Sequence, residues 1–222
     1  VLVYNGEIYN FAALRPELEA SGHRFESDSD TEVLLAGLVR HGAAFLDRLV
    51  GMFAFAFFDP ARRSLLLARD RLGKKPLYLH EGPLLTVFAS EPAALLAHPA
   101  VPAEADPEAL GAYLTLGYIP SPRTGFRGIT KLGPGESLEI GSAGPVRRRY
   151  WSLSTTRRSG SVRDRVAEIR AGVKRSVLDR LVADVPVGSF LSGGVDSSVI
   201  SGLMKEAVDD ELTTFVSGYE AG

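Results

Sequence analysis

Two clusters of residues in this chain have the types and spacing to do chemistry. The first is Phe190-Leu191-Ser192-Gly193-Gly194-Val195-Asp196-Ser197-Ser198, where an apolar run from Val185 to Leu191 ends in paired glycines, an aspartate and two hydroxyls. Paired glycines let the backbone approach an anion closely, and helix-opening N–H groups and serine hydroxyls donate to it. That combination suits a phosphate group. The common phosphate loop needs a lysine after its last glycine, and none follows here. The plainer alternative is a glycine turn capped by serine.

The second cluster is Tyr4-Asn5-Gly6-Glu7-Ile8-Tyr9-Asn10 with Ser29-Asp30-Thr31-Glu32 one helix later. Asn5 offers an amide donor and Gly6 an unobstructed N–H, and two such donors can stabilise an oxyanion in acyl transfer. Glu7 and Asp30 are carboxylates that can hold an α-ammonium group. The alternative is a hairpin turn at Asn5-Gly6 followed by a helix cap. Residue chemistry alone leaves both open.

These residues need elements to position them. Val1–Tyr4 reads as a strand and Asn5-Gly6 as a turn. Phe11–Ala20 reads as a helix if Pro16 lies in its first turn. Asp30 reads as the N-cap of a second helix with Val33, Leu34, Gly37 and Leu38 on its apolar face. Phe45–Val50 reads as a further short helix. Gly51–Asp59 alternates Phe with Ala and reads as a buried strand, with Ser64–Arg69 as its hairpin partner. Leu77–His80 and Leu84–Ala89 form a second expected hairpin, Ser90 to Ala97 a short helix, Pro107–Leu116 another, and Glu136–Ile140 a strand.

The basic stretch Arg147-Arg148-Arg149 to Arg157-Arg158 reads as a solvated interdomain linker, with an anionic partner as the alternative. Ser161 and Asp164 open an amphipathic helix to about Ala183, with Val162, Val166, Ile169, Val173, Val177 and Leu181 recurring on one face. Strand Val185–Leu191, the glycine loop, helix Ser198–Ala207 and strand Leu212–Val216 then describe the start of a parallel sheet.

The bulk numbers restrict the alternatives. The chain has 222 residues, 45% of them hydrophobic, and a formal net charge of −2. A real core is expected, and nothing in the charge calls for nucleic acid or a membrane surface as partner. No apolar run approaches the ~20 residues of a membrane span, and no signal-peptide pattern opens the chain, so the expected location is cytoplasmic. With no cysteine, disulfides and thiolate metal sites are excluded. His23, His41, His80 and His98 are scattered and read as solvated surface residues. A start without Met inside a strand, and an end just after one, reads as an internal fragment of a longer protein.

Together the motifs resemble a family. Ser-Gly-Gly-x-Asp-Ser resembles the pyrophosphate loop of ATP pyrophosphatases. Tyr-Asn-Gly-Glu-Ile-Tyr-Asn resembles the glutamine-binding strand end of class II, N-terminal-nucleophile glutaminases. Ser29-Asp30-x-Glu32, Gly51-Met52-Phe53-Ala54-Phe55-Ala56, Arg69-Asp70-Arg71-x-Gly73, Ala89-Ser90-Glu91 and Val185-Pro186-x-Gly188 follow in the order of the glutamine-hydrolysing asparagine synthetases. The resemblance implies an α+β glutaminase-like domain of layered αββα form over 1–150, a linker over 151–160, and the start of an α/β parallel-sheet ATP-pyrophosphatase domain over 161–222.

It also implies the chemistry. Asn5 and Gly6 form an oxyanion hole, and Glu7 and Asp30 bind the backbone groups of glutamine. Ser192, Gly193, Gly194, Asp196, Ser197 and Ser198 hold the diphosphate of ATP, with Mg2+ at Asp196, while Leu191 and Ser217 contact the nucleoside. Glutamine and aspartate are the implied substrates, and a homodimer is compatible with the reading. The nucleophilic cysteine of the family is missing from these residues, so no glutaminase activity is expected of them alone. Relatives that amidate or cyclise another carboxylate, and a nucleotide-binding remnant without turnover, remain the rival readings.

Overall fold

A computed structural model describes residues 1–156, 159–208 and 211–218. They form two compact units, Val1–Ser154 and Thr155–Gly222. The first unit opens with strand β1 (Leu2–Ile8), helices α1 (Phe11–Ala20) and α2 (Asp30–His41), and a 3-10 helix (Gly42–Arg48). Strands β2 (Gly51–Asp59), β3 (Ser64–Arg69), β4 (Tyr78–Glu81) and β5 (Thr86–Ala89) follow, then helices α3 (Pro92–Leu96) and α4 (Pro107–Leu116). Strands β6 (Ile129–Lys131), β7 (Glu136–Gly141) and β8 (Gly144–Arg149) complete it.

Two antiparallel sheets result, a five-stranded one in the order β1-β2-β3-β7-β8 and a three-stranded one in the order β5-β4-β6. The Phe/Ala alternation of β2 explains how they stack. Side chains of a strand alternate between faces. Phe53, Phe55 and Phe57 therefore meet Leu14, Leu18, Val33, Leu34 and Phe45 of the helical layer. Ala54 and Ala56 face the other way, where their small size admits Leu77, Leu79 and Leu132 from the second sheet. The far side of that sheet is closed by Leu95 and Val101 against Ile129. The order helices, sheet, sheet, helix is the expected αββα layering. Each buried phenylalanine contributes on the order of 1.5–3 kcal/mol.

Local details depart from the sequence reading. Asn5-Gly6 is not a turn: β1 runs straight through it, with Asn5 opposite Ala54 and Gly6 opposite Phe53. Pro16 lies beyond the first turn of α1, on an exposed face. Ser29, not Asp30, caps α2, its hydroxyl accepting from the Thr31 N–H at 3.1 Å. The helix expected over Phe45–Val50 is the 3-10 turn Gly42–Arg48. His41 and His80 are half-buried rather than solvated. The His41 ring stacks on Phe45 at 5.8 Å, and His80 Nδ1 lies 2.9 Å from the Gly128 carbonyl.

The basic stretch is corrected as well. Arg147–Arg149 belongs to β8, where Arg147 pairs with Glu81 and Arg149 with Glu136. Strand pairing replaces the linker there, while all three arginines remain exposed to solvent as expected. Arg157 and Arg158 lie outside the described residues.

The second unit contains helix α5 (Val162–Leu178), strand β9 (Ser189–Phe190), helix α6 (Val195–Ala207) and strand β10 (Thr214–Phe215). The Ser161/Asp164 capping box is present, but α5 ends at Leu178, short of Ala183. Of its apolar stripe Val177 is buried, whereas Val162 and Ile169 remain 79% and 65% exposed. The two strands are parallel, as expected, but far shorter than Val185–Leu191 and Leu212–Val216. Each has one neighbour among the described residues, and Pro186 has no N–H to give to a ladder. None of the described helices is long and apolar enough to cross a membrane.

Candidate functional site

The first site is built on the open edge of β1. In an antiparallel pair the residues alternate between hydrogen-bonded and non-bonded positions. Reciprocal bonds join Val1 to Phe58, and Tyr9 N–H donates to the Val50 carbonyl. The odd-numbered residues of β1 thus turn their backbone groups toward β2. Those of Tyr4, Gly6 and Ile8 point outward, away from the sheet. The Ile8 N–H donates to Asp30 Oδ2 at 2.8 Å, which fixes the α2 N-terminus against the strand. The Gly6 N–H stands two residues along the same edge.

Glycine at position 6 is required by space. A Cβ there would lie 2.2 Å from the Met52 carbonyl oxygen and 2.7 Å from Phe53 Cα. Its freedom from a side chain also leaves its N–H open to a ligand.

Asn5 shares the face of its partner Ala54, in the second apolar cluster. Its Nδ2 donates to Ser90 Oγ at 3.3 Å, and an amide NH2 has a second hydrogen to give. A cavity of about 270 Å3 opens here, lined by Asn5, Ala54, Ala56, Phe88 and Ser90 among others. Glu7 lies on the same face as Asn5 by strand alternation. Asp30 reaches β1 from the opposite, helical face. Gly6 and Asp30 therefore meet at the open edge of β1, whereas Asn5 and Glu7 lie on its other face, so the four do not form a single-sided cluster.

Four residues to which sequence reasoning gave no role support the site: Tyr4 and Ser90 at β1, and Asp70 and Arg69 at the end of β3. Tyr4 donates its hydroxyl to Asp30 Oδ2 at 2.8 Å, and burial together with that carboxylate raises its phenol well above the usual tyrosine range. Ser90 orients Asn5. Asp70, 1% exposed, accepts from the N–H groups of Phe53, Leu72, Lys74 and Lys75. Its neighbour Arg69 donates to the carbonyls of Gly73, Lys75 and Leu132, and its burial lowers its basicity. The period-two pattern of Tyr4 against Asn5 was a readable signal for the first. The backbone partners of Asp70 and Arg69 have no signature in side-chain types.

The second site is the turn between β9 and α6. Gly193 has φ +78°, a left-handed conformation that glycine adopts without strain. Gly194 is the N-cap of α6, and no side chain caps it. The helix starts at Val195, earlier than Ser198, so Asp196, Ser197 and Ser198 lie inside its first turns. Both serine hydroxyls donate back to the Gly194 carbonyl, at 3.1 and 2.8 Å, and Ser192 Oγ lies 3.1 Å from Ser197 Oγ. The hydroxyls thus stiffen the turn, and the uncapped N–H groups of the first helical turn remain to meet an anion.

Asp196 is exposed beside them. Leu191 is half-buried and its N–H donates to the Phe215 carbonyl at 2.9 Å; Ser217 is exposed just after β10. Among the described residues no three His, Cys, Asp or Glu side chains come together as a metal cluster.

Comparison with known proteins agrees with both halves. The family described as glutamine amidotransferase domain matches residues 1–151, and the one described as asparagine synthase matches residues 168–222. The chain belongs to the glutamine amidotransferase domain family, and its second unit is similar to the asparagine synthase family.

Among curated relatives, asparagine synthetase [glutamine-hydrolyzing] 3 of Bacillus subtilis is 41% identical over 99% of this chain and 36% of its own length. A putative asparagine synthetase of Mycobacterium tuberculosis is 40% identical over 99% of this chain and 35% of its own. Asparagine synthetase B of Escherichia coli is 36% identical over 93% and 32%. The chain therefore spans about a third of the length of these relatives. A Bacillus subtilis glutamine phosphoribosylpyrophosphate amidotransferase structure covers 97% of this chain and 45% of its own, at 21% identity and TM-score 0.45, too slight a likeness to carry an argument.

Proposed function

We propose that the whole protein is a glutamine-dependent asparagine synthetase, converting aspartate, glutamine and ATP into asparagine, glutamate, AMP and diphosphate. The observation that carries the first half is the β1 edge. The Gly6 N–H and the Asp30 anchor at Ile8 lie two residues apart, about 7 Å along an extended strand. That is comparable with the distance from the α-nitrogen to the side-chain carbonyl oxygen of an extended glutamine. Asp30 then holds the ammonium group, with Glu7 nearby, while Asn5 Nδ2 and Gly6 N–H take the developing oxyanion. The family's nucleophile is a cysteine, and none is among these residues. In this reading another part of the protein supplies it.

In the second half, the uncapped N-terminus of α6 and the Gly193 bend fit a diphosphate. Ser192, Gly193, Gly194, Ser197 and Ser198 shape that cradle, Asp196 holds Mg2+, and Leu191 and Ser217 touch the nucleoside. A single carboxylate suffices because Mg2+ takes most of its remaining ligands from phosphate and water. When bound, the nucleotide supplies the activating group for the aspartate side-chain carboxylate. Boundaries at 1–150, 151–160 and 161–222 belong to the same reading, as do a cytoplasmic location and a homodimeric assembly. The assembly is checked by sedimentation equilibrium of the intact protein.

The intact protein supplied with ATP, aspartate and glutamine should yield asparagine with AMP and diphosphate. Formation of ADP and phosphate instead would sink the adenylation step. Asp196→Ala should abolish AMP formation and leave glutamine hydrolysis largely in place. Loss of both in a folded variant would contradict two separate sites.

A further inference from the structure

Asp30 has two carboxylate oxygens in unequal surroundings. Oδ2 accepts two good hydrogen bonds, from the Ile8 N–H and from the Tyr4 hydroxyl, each 2.8 Å long. Oδ1 has a weaker contact, with the neighbouring Thr31 hydroxyl at 3.3 Å. The backbone donor alone would leave the carboxylate free to rotate about the axis of that bond. A second donor on the same oxygen, from a different part of the strand, fixes its plane.

Tyr4 is suited to that task. Its ring packs on the apolar cluster containing Leu34 and Phe55, so the hydroxyl cannot wander. Its raised phenol stays protonated, hence a donor, across the range in which enzymes work. Its ring packs on the helical face of β1, whereas the Asn5 side chain is on the other, although Tyr4 also borders the cavity beside Asn5.

We infer that Tyr4 is a positioning residue: it pins Asp30 Oδ2 so that Oδ1 is presented to the α-ammonium group of the amide donor. Its contribution is to selecting a zwitterionic amino acid over an amide that lacks the ammonium group. This rests on the proposed glutamine site, and deepens it.

The test uses the intact protein and two amide substrates, L-glutamine and its des-amino analogue 4-carbamoylbutanoate, with ammonia release as readout. Tyr4→Phe keeps the ring and removes the hydroxyl. It should raise KM for L-glutamine roughly 5- to 20-fold, at or below the low end of the effect of one charge-assisted hydrogen bond because Tyr4 acts through Asp30, with little change in kcat. Its kcat/KM for 4-carbamoylbutanoate should match the parent's.

An equal fall for both substrates means that Tyr4 acts only through fold integrity, and overturns the inference. So does an unchanged KM for L-glutamine. Should Tyr4→Phe not fold, Tyr4→Leu, which keeps an apolar side chain and has no donor, is measured in the same way. A KM for L-glutamine at the parent's level in that folded variant also overturns it. Failure of the underlying reading looks different: the parent protein then shows no saturable preference for L-glutamine at all.

Discussion

At the scale of single residues, the candidate site depends on backbone donors more than on reactive side chains. Gly6 shows why. Its N–H is useful because β1 is an edge strand and because the residue falls at an outward position of the ladder. Its missing side chain lets β2 approach, since a Cβ would overlap the Met52 carbonyl oxygen at 2.2 Å. That neighbour is backbone and cannot swing aside. Gly6→Ala should therefore destabilise the protein by about 1–3 kcal/mol, the usual cost of forcing atoms into a filled space. A urea titration of the variant measures this. A midpoint equal to the parent's would show that β1 can shift outward without penalty, and that the edge is softer than the register implies.

At the scale of elements, the segment before α2 positions Asp30. Glu32, in the first turn of α2, reaches back to accept hydrogen bonds from the Ser27 hydroxyl and from the N–H groups of Glu26 and Ser27. The Ser27 hydroxyl bond is the largest cause that lowers its carboxyl from 4.5 to about 2, followed by the Glu26 N–H. A carboxyl depressed by folding stabilises the native state fully above its unfolded value, and that contribution is lost as pH falls toward the folded value. The loss should fall between about 4.5 and about 2. Glu32→Gln should lower stability at neutral pH and flatten the decline in this window. The decline will not vanish, because Arg48 also depresses the carboxyl of Glu17. Urea midpoints from pH 2 to 6 for both proteins make the comparison. Parallel curves would remove Glu32 as the clasp of this segment.

At the scale of the whole molecule, the apolar cores are unevenly shared. All three core clusters lie within Val1–Ser154. In the second unit Val177 and Met204 are buried, while Val162, Val166 and Ile169 of α5 are exposed. A polypeptide of Val1–Ser154 should therefore unfold in one cooperative transition with native near-ultraviolet dichroism. The isolated second unit should show weak cooperativity. A non-cooperative melt of the first unit would mean that its layers need support from elsewhere in the protein.

The layers themselves were legible in the sequence. The Phe/Ala alternation of Gly51–Asp59, the turn at Pro60–Arg63 and the glycine loop before α6 are local patterns, and local sterics dictate them. Candidate residues were legible for the same reason, since amide, carboxylate and hydroxyl chemistry belongs to the side chain itself. What tertiary structure decided was direction and partnership. Asn5-Gly6 has the composition of a turn, yet pairing with β2 across more than forty residues of sequence keeps it extended. Asp30 has the composition of a helix cap, yet Tyr4 and Ile8 claim its carboxylate, and Ser29 takes the cap. Arg147–Arg149 reads as a linker until pairing with β7 makes it a strand and places Glu136 beside Arg149. Residue types fix what a group can donate or accept. Which group receives it depends on segments distant in sequence, and folding alone brings those together.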